Sequence, residues 1–321
     1  QLTEWHPIWT LNAMNIDREQ SPKPFLKWAG GKTQLLRQFE PIFPKNFNRF
    51  FEPFLGSGAV FFFLRNQGKA ESAFLSERNQ ELIDCYLGVR DHLDEIVEYL
   101  AWYREFHSKE QYYEVRKLDP WALSLPHRAA RLIYLNKTCF NGLYRVNNRG
   151  EFNVPMGRYK SPGILEEQKL RMASQSLSGV QIKTMDFSQL PKYVRDRDFV
   201  YLDPPYDPLS STSNFTGYTK DSFDEKRQYE LANTCRVLTE KGAFIMLSNS
   251  STRLVRDLYS SDMFLVTQVE ARRSINSKRE KRGLIPELVI TNYDWHEEPD
   301  LPVGKPGKMV LLKDRHRLSE K

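Results

Sequence analysis

Short apolar runs, bounded by glycine, proline or charged residues, recur through the middle of the chain. Asn48 to Phe54, Ser72 to Leu75, Val180 to Met185, Asp198 to Leu202, Ala243 to Leu247, Phe264 to Val269 and Glu287 to Tyr293 read as strands. The first leads into a Gly56-Ser57-Gly58 turn, and a helix is predicted from Ala59. Helical spacing returns over Phe223 to Leu238, where Tyr229, Leu231, Ala232, Cys235 and Leu238 are apolar. Strands alternating with helices predict an α/β fold with a mostly parallel sheet, whose ligands bind at the carboxyl ends of the strands.

Between the second and third strands lies a stretch from about residue 80 to 170, too long for a simple crossover. Leu82, Tyr86, Leu93, Ile96, Tyr99 and Leu100 give it helical spacing at first; from Lys137 it turns irregular and basic. It reads as an inserted module. The expected organisation is an extension over 1–22, a core formed by 23–80 and 166–295, an insert over 81–165 and a tail over 296–321.

Composition narrows the class without naming it. Hydrophobic residues make 40% and charged residues 27% of the 321, as in ordinary globular chains. The richest apolar run, Val60 to Leu64, falls far short of the ~20 residues a membrane helix needs. No secretory leader is expected, because the first 20 residues lack a basic segment followed by an apolar one. Cys85, Cys139 and Cys235 are widely spaced and form no pair with zinc spacing, so reduced thiols are expected and a structural metal is not.

The net charge of +6 permits nucleic-acid binding, but its distribution says more. Lys137, Arg145, Arg149, Arg158 and Lys160 alternate with Phe140, Tyr144, Phe152 and Tyr159, with Glu151 the single acid between them. Bases interleaved with aromatics suit nucleic-acid contact. Arg272, Arg273, Lys278, Arg279, Lys281 and Arg282 form a second cluster.

Three motifs carry candidate chemistry. In Phe199-Val200-Tyr201-Leu202-Asp203-Pro204-Pro205-Tyr206 an apolar strand delivers a carboxylate to its end, and two prolines stiffen the turn. Asp203 and the Pro204 carbonyl are two acceptors beside the flat face of Tyr206, a set that suits a planar amine such as a nucleobase carries. In Phe51-Glu52-Pro53-Phe54-Leu55-Gly56-Ser57-Gly58 a strand feeds a Gly-x-Gly turn, which allows close backbone approach to a cofactor. Glu77, 21 positions after Gly56 at the end of the next strand, has the spacing of a ribose-binding acid. Asp186-Phe187 ends another strand and offers an adenine acceptor and an apolar wall. The third motif is Lys27-Trp28-Ala29-Gly30-Gly31-Lys32-Thr33. Its end looks like a phosphate-binding loop, which keeps a P-loop NTPase open as a rival, but Leu26 stands where that loop needs its first glycine. Lys32 beside two glycines suits a small carboxylate instead.

KWAGGK, EPFLGSG, the segment FNGLYRVNNRGEFNVPMGRY and DPPY, in this order, resemble the DNA adenine methyltransferase family of the Dam type, over roughly Pro24 to Tyr293. The likeness continues through Pro208-Leu209-Ser210, Asn214-Phe215-Thr216, Leu247-Ser248-Asn249 and Arg272-Arg273-Ser274-Ile275. The resemblance implies a Rossmann-like core with an inserted, largely helical target-recognition domain carrying a β-hairpin. It implies methyl transfer from S-adenosylmethionine to the 6-amino group of adenine in duplex DNA, in GATC, by base flipping and direct in-line transfer. The implied catalytic residues are Asp203, Pro204 and Tyr206. Trp28, Gly30, Lys32, Phe54, Gly56, Ser57, Gly58, Glu77, Asp186, Phe187 and Asp203 would hold the cofactor; Glu77 stands where the family commonly has Asp. Lys27 and Arg145 match positions that read guanine, Leu143 and Pro155 match apolar base contacts, Phe140 matches a wedge into the duplex, and Asn141 supports the vacated position. Lys137, Asn147, Asn153 and Arg158 would touch phosphates. The expected partner is duplex DNA, met by a monomer without metal or membrane, in the cytoplasm at the nucleoid, serving replication-linked or restriction-modification methylation. A DPPY enzyme acting on another DNA sequence, RNA or a protein amide, and a DNA-binding module without catalysis, stay open as rivals.

Overall fold

The computed structural model describes residues 21–206, 223–272 and 284–296. The N-terminal extension up to residue 20, most of the C-terminal tail, the Pro208–Thr216 motifs and nearly all of the second basic cluster lie outside them.

Seven strands form one sheet: β1 (Phe50–Glu52), β2 (Ala73–Glu77), β3 (Gln181–Thr184), β4 (Phe199–Leu202), β5 (Phe244–Ser250), β6 (Leu265–Arg272) and β7 (Leu284–Thr291). Their order is β3-β2-β1-β4-β5-β7-β6. Pairing is parallel from β3 through β5, while β7 runs antiparallel to both of its neighbours. This is the expected Rossmann-like, mostly parallel α/β core.

Side chains alternate across the central strands because a strand has a period of two. Phe199 and Tyr201 of β4, with Phe244 and Met246 of β5, enter one apolar layer. Val200 and Leu202, with Ile245 and Leu247, enter the other. A sheet covered on both faces needs near-continuous apolar strands, which is how β4 and β5 read. Several strand ends differ from expectation, β2 and β6 running on to Glu77 and Arg272 and β7 starting at Leu284, and two have a clear cause. The first strand stops at Glu52 because Pro53 has no N–H for the ladder. The fifth continues past Leu247 to Ser250 because β7 pairs with Ser248, Asn249 and Ser250.

The helices are α1 (Leu36–Phe39), α2 (Ala59–Asn66), α3 (Gln80–Asp91), α4 (Leu93–Glu105), α5 (Lys109–Lys117), α6 (Leu125–Thr138), α7 (Glu167–Leu177), α8 (Glu225–Glu240) and α9 (Arg253–Leu258). Helix α2 begins at Ala59 as predicted, and α3 is capped by the Asn79 side chain, which accepts from the Leu82 N–H at 3.2 Å. Helices α3 and α6 lie against each other, joined by a buried pair in which Arg131 donates to Glu81 at 2.7 Å. The apolar layer beneath the sheet continues through these helices to Phe152 and Val154. After α6 the chain forms a small antiparallel hairpin, bridged at Cys139–Met156 and Val146–Phe152. Tyr112 of α5, fully buried, donates to the Val154 carbonyl at 2.8 Å and anchors the hairpin's returning arm.

Candidate active site

The strand order reverses between β1 and β4: β2 and β3 extend outward from one, β5 from the other. Loops leaving the carboxyl ends of two such strands diverge and open a crevice. Those two loops carry Pro53–Gly58 and Asp203–Tyr206.

Lys32 joins the sides of this crevice. It sits in a single 3₁₀ turn, Lys32–Gln34, rather than at the start of a P-loop helix. Its ammonium donates to the Gly30 carbonyl at 2.8 Å, lies 2.8 Å from Asp203 Oδ1, and stands 4.8 Å from the centroid of the Tyr206 ring. Lys32 is 5% exposed and Asp203 18%, so the pair is nearly buried yet reachable from the crevice. Burial raises the Asp203 carboxyl above its ordinary value; the Lys32 ammonium and the Tyr206 hydroxyl pull the other way. The Tyr206 hydroxyl donates to Glu287 Oε2 at 2.7 Å. Pro204 is buried, and among the described residues none donates to its carbonyl. Beneath them Glu52 accepts from the Phe61 N–H at 3.1 Å, and burial pushes its carboxyl well above the usual range.

The glycine turn packs closely on the Lys27–Lys32 segment. Gly56 and Gly58 have φ of 48° and 65°, left-handed values that glycine tolerates. A Cβ on Gly56 would meet Trp28 Cδ1 at 3.0 Å, and one on Gly31 would meet Ser57 Oγ at 3.3 Å. Tyr86 steadies the turn by donating to the Gly56 carbonyl at 3.1 Å. Trp28 stacks on Tyr144 of the hairpin, with ring centroids 5.2 Å apart. Glu77 ends β2 and accepts from the Arg78 N–H at 2.8 Å. Burial raises its carboxyl, tempered by the N–H groups of Arg78, Asn79 and Gly56. Further along, Phe54, Phe187 and Phe223 meet with centroids 5.5 to 5.8 Å apart. Arg227 covers the Phe187 face at 4.3 Å and donates to Asp186 at 2.5 Å. Burial would raise Asp186, but hydrogen bonds from Ser188 and from Arg227 outweigh it and hold the carboxyl low.

Around the hairpin, the expected DNA-facing residues divide in two. Lys27, Phe140, Asn141, Arg145, Pro155 and Arg158 are exposed. Asn136 ties the first of them to the hairpin: it accepts from the Lys27 N–H and donates to the carbonyls of Lys27 and Gly142, at 2.8 to 3.1 Å. Phe140 donates its N–H to the Pro155 carbonyl at 2.8 Å, and Arg145 Nε donates to Asn153 Oδ1 at 2.6 Å. Leu143, by contrast, is half-buried and packs against the core layer beneath the hairpin. Lys137 and Asn147 turn elsewhere. Lys137 is 14% exposed and paired with Glu166; burial lowers its ammonium pKa against the pull of that carboxylate. Asn147 closes the hairpin turn, accepting from the N–H groups of Arg149 and Glu151 and donating to the Glu151 carboxylate.

Several residues at the site had no role in the motifs. Gln228 of α8, fully buried, accepts from Asn249 at 3.0 Å and reaches the Pro205 carbonyl at 3.5 Å, so it braces the Pro-Pro corner. Glu52 and Glu287 join it. Glu52 and Glu287 are each the one charged residue of an apolar strand, which is a signal in the sequence, whereas Gln228 lies in a polar helix and carries none.

A family model described as D12 class N6 adenine-specific DNA methyltransferase matches residues 28–275. The Type II methyltransferase M1.LlaDCHI of Lactococcus lactis subsp. cremoris is 43% identical over 277 residues, covering 84% of this chain and 95% of its own. The Type II methyltransferase M.MjaIII of Methanocaldococcus jannaschii is 45% identical over 288 residues, covering 84% and 99%. DNA adenine methylase of Escherichia coli strain K12 is 35% identical over 269 residues, covering 83% and 94%. A match across most of the chain meets a crevice in which KWAGGK, EPFLGSG and DPPY converge, and the chain belongs to the D12 class of N6 adenine-specific DNA methyltransferases.

Proposed function

We propose that the chain methylates adenine within GATC in duplex DNA, acting on a base turned out of the helix. The observation that carries this reading is the meeting of the Gly56–Gly58 turn, Lys32, Asp203 and Tyr206 across the point where the strand order reverses. A stacked adenine cannot enter a crevice of this kind, so the base leaves the duplex first.

S-adenosylmethionine is the methyl donor, and when bound it supplies a methyl group activated on a sulfonium. The donor set fits it. Lys32 offers positive charge at the methionine end, and the Trp28–Gly56 contact leaves a wall without side chains between them. Glu77 is a partly shielded acceptor at the strand end where a diol needs one. Asp186 and Phe187 stand at the adenine end, with Arg227 lying over the ring.

This chain's residues then act on the target amine. Tyr206 gives the extruded ring a flat support. Asp203 and the Pro204 carbonyl accept its two N–H groups, which favours a pyramidal nitrogen with its lone pair turned toward the donor. Lys32 keeps Asp203 ionised and therefore accepting. After transfer the nitrogen carries an acidic proton, so Asp203 need not be a strong base. Lys27 and Arg145 read guanines, with the Arg fork matching the two acceptors on the major-groove edge. Leu143 and Pro155 contact neighbouring bases, Phe140 enters the stack and Asn141 supports the gap. Arg158 and Asn153 reach phosphates. The working division is a catalytic unit of 23–80 and 166–295 around a recognition unit of 81–165.

Methylation-sensitive sequencing of DNA from cells expressing the chain tests this reading. Marks confined to adenines in GATC are the expected result; marks spread over other sequences would overturn the assigned specificity.

A further inference from the structure

Stacking does not explain why position 206 is a tyrosine, since phenylalanine offers the same flat ring. The hydroxyl is the difference, and it donates to Glu287 Oε2 at 2.7 Å across 81 residues of chain. Glu287 lies within β7, opposite Ser250 of β5 and Val269 of β6. Its backbone is therefore held in the sheet from both sides, unlike the loop that carries Tyr206. The near side of the ring meets Lys32, which is itself fixed by Gly30 and Asp203. One ring is thus gripped at its face by a cation and at its tip by a carboxylate. A tyrosine ring turns about two side-chain torsions: a bond at the far end of the ring holds the first, which aims the ring, and the Lys32 ammonium over the face biases the second, which turns its plane.

We propose that Glu287 is a positioning residue for methyl transfer, which anchors the tip of the Tyr206 ring through its hydroxyl and so, with Lys32 at the ring's face, fixes where the target base is presented. The proposal rests on the reading above, in which Tyr206 supports an extruded adenine. A ring oriented in advance loses no further freedom when the base arrives, and the amine then meets Asp203 and Pro204 at a fixed height. Glu287 touches neither the base nor the donor in this scheme.

The test uses the full chain and a GATC duplex with 2-aminopurine in place of the target adenine. The proteins are wild type, Glu287→Ala, Glu287→Gln, Tyr206→Phe, Tyr206→Ala and the Glu287→Ala/Tyr206→Phe double variant. Stacking on Tyr206 quenches the fluorophore, so Glu287→Ala and Tyr206→Phe should both give brighter complexes. Each should lower kcat about tenfold, with duplex KM and cofactor Kd held within about twofold. Glu287→Gln keeps an acceptor oxygen and should restore both signals to near wild type. The double variant should be no worse than either single one, because both remove the same bond. Additive losses, an unchanged Glu287→Ala protein, or no rescue by glutamine would overturn the role of Glu287. Should Glu287→Ala fail to fold, the near-isosteric Glu287→Gln and Tyr206→Phe variants still decide it. Normal quenching and turnover by Tyr206→Ala would instead overturn the stacking reading, and the role of Glu287 with it.

Discussion

The crevice and the hairpin rim are built on opposite plans. In the crevice the ionisable groups at the Pro-Pro corner are matched: Lys32 with Asp203, Glu287 with the Tyr206 hydroxyl, Glu52 with a backbone N–H. On the rim, Lys27, Phe140, Arg145 and Arg158 stand in solvent, held by contacts within the hairpin. The first region is set by the sheet before any ligand arrives, which suits a reaction that depends on fixed dipoles. The second offers exposed basic and aromatic side chains which, on the proposed function, a duplex would order. Damage in the crevice should therefore abolish chemistry, whereas damage on the rim should change which DNA is chosen.

The largest effect expected is from Asp203→Ala. Methyl transfer should fall at least about a thousandfold, while circular dichroism and duplex binding stay close to wild type. Turnover near wild type would remove Asp203 from the chemistry.

Next comes the pH dependence. Asp203 is the stronger acceptor when ionised, and burial places its carboxyl above the ordinary range. Activity should fall as pH drops through that raised value. Lys32→Ala removes the strongest influence holding it down, so the acid limb of kcat, measured at saturating cofactor and duplex, should move to higher pH. An unmoved limb would show that the pair does not govern the reaction.

On the rim, Arg145→Ala should relax discrimination at one guanine by about 1–3 kcal/mol, read by comparing kcat/KM on matched and mismatched duplexes. The smallest effect separates two lysine and arginine positions that look alike in sequence. Arg158→Ala should weaken binding evenly across sequences and reduce the salt slope by about 1. Lys137→Ala should leave that slope unchanged, because its ammonium already answers Glu166.

The two regions also differed in how far they could be read beforehand. Apolar runs ending in Gly56-Ser57-Gly58 and Asp203-Pro204-Pro205-Tyr206 revealed the strands, and strand ends placed the crevice, because both follow from local rules. The insertion of β7 antiparallel between β5 and β6 is a long-range pairing with no local signature. Glu287 stands out as a charge in an apolar strand, but its pairing is hidden for the same reason, since its partner lies 81 residues away. Lys137 looked like its basic neighbours, yet it sits in the last turn of α6 on a side that meets Glu166. Arg227 falls in a helix whose spacing was plain, but nothing local announces that it covers Phe187.

The Asn136 contacts bear on how new specificities can be made. Gly142 has a φ of 66°, and a Cβ there would meet the Lys27 side chain at 2.8 Å. A hairpin transplanted from a relative would therefore seat correctly only if it brought its own glycine at that point and found an amide at the foot of α6 to receive it. Swapping the exposed side chains that the proposed function assigns to the bases, on the existing scaffold, is the less demanding route.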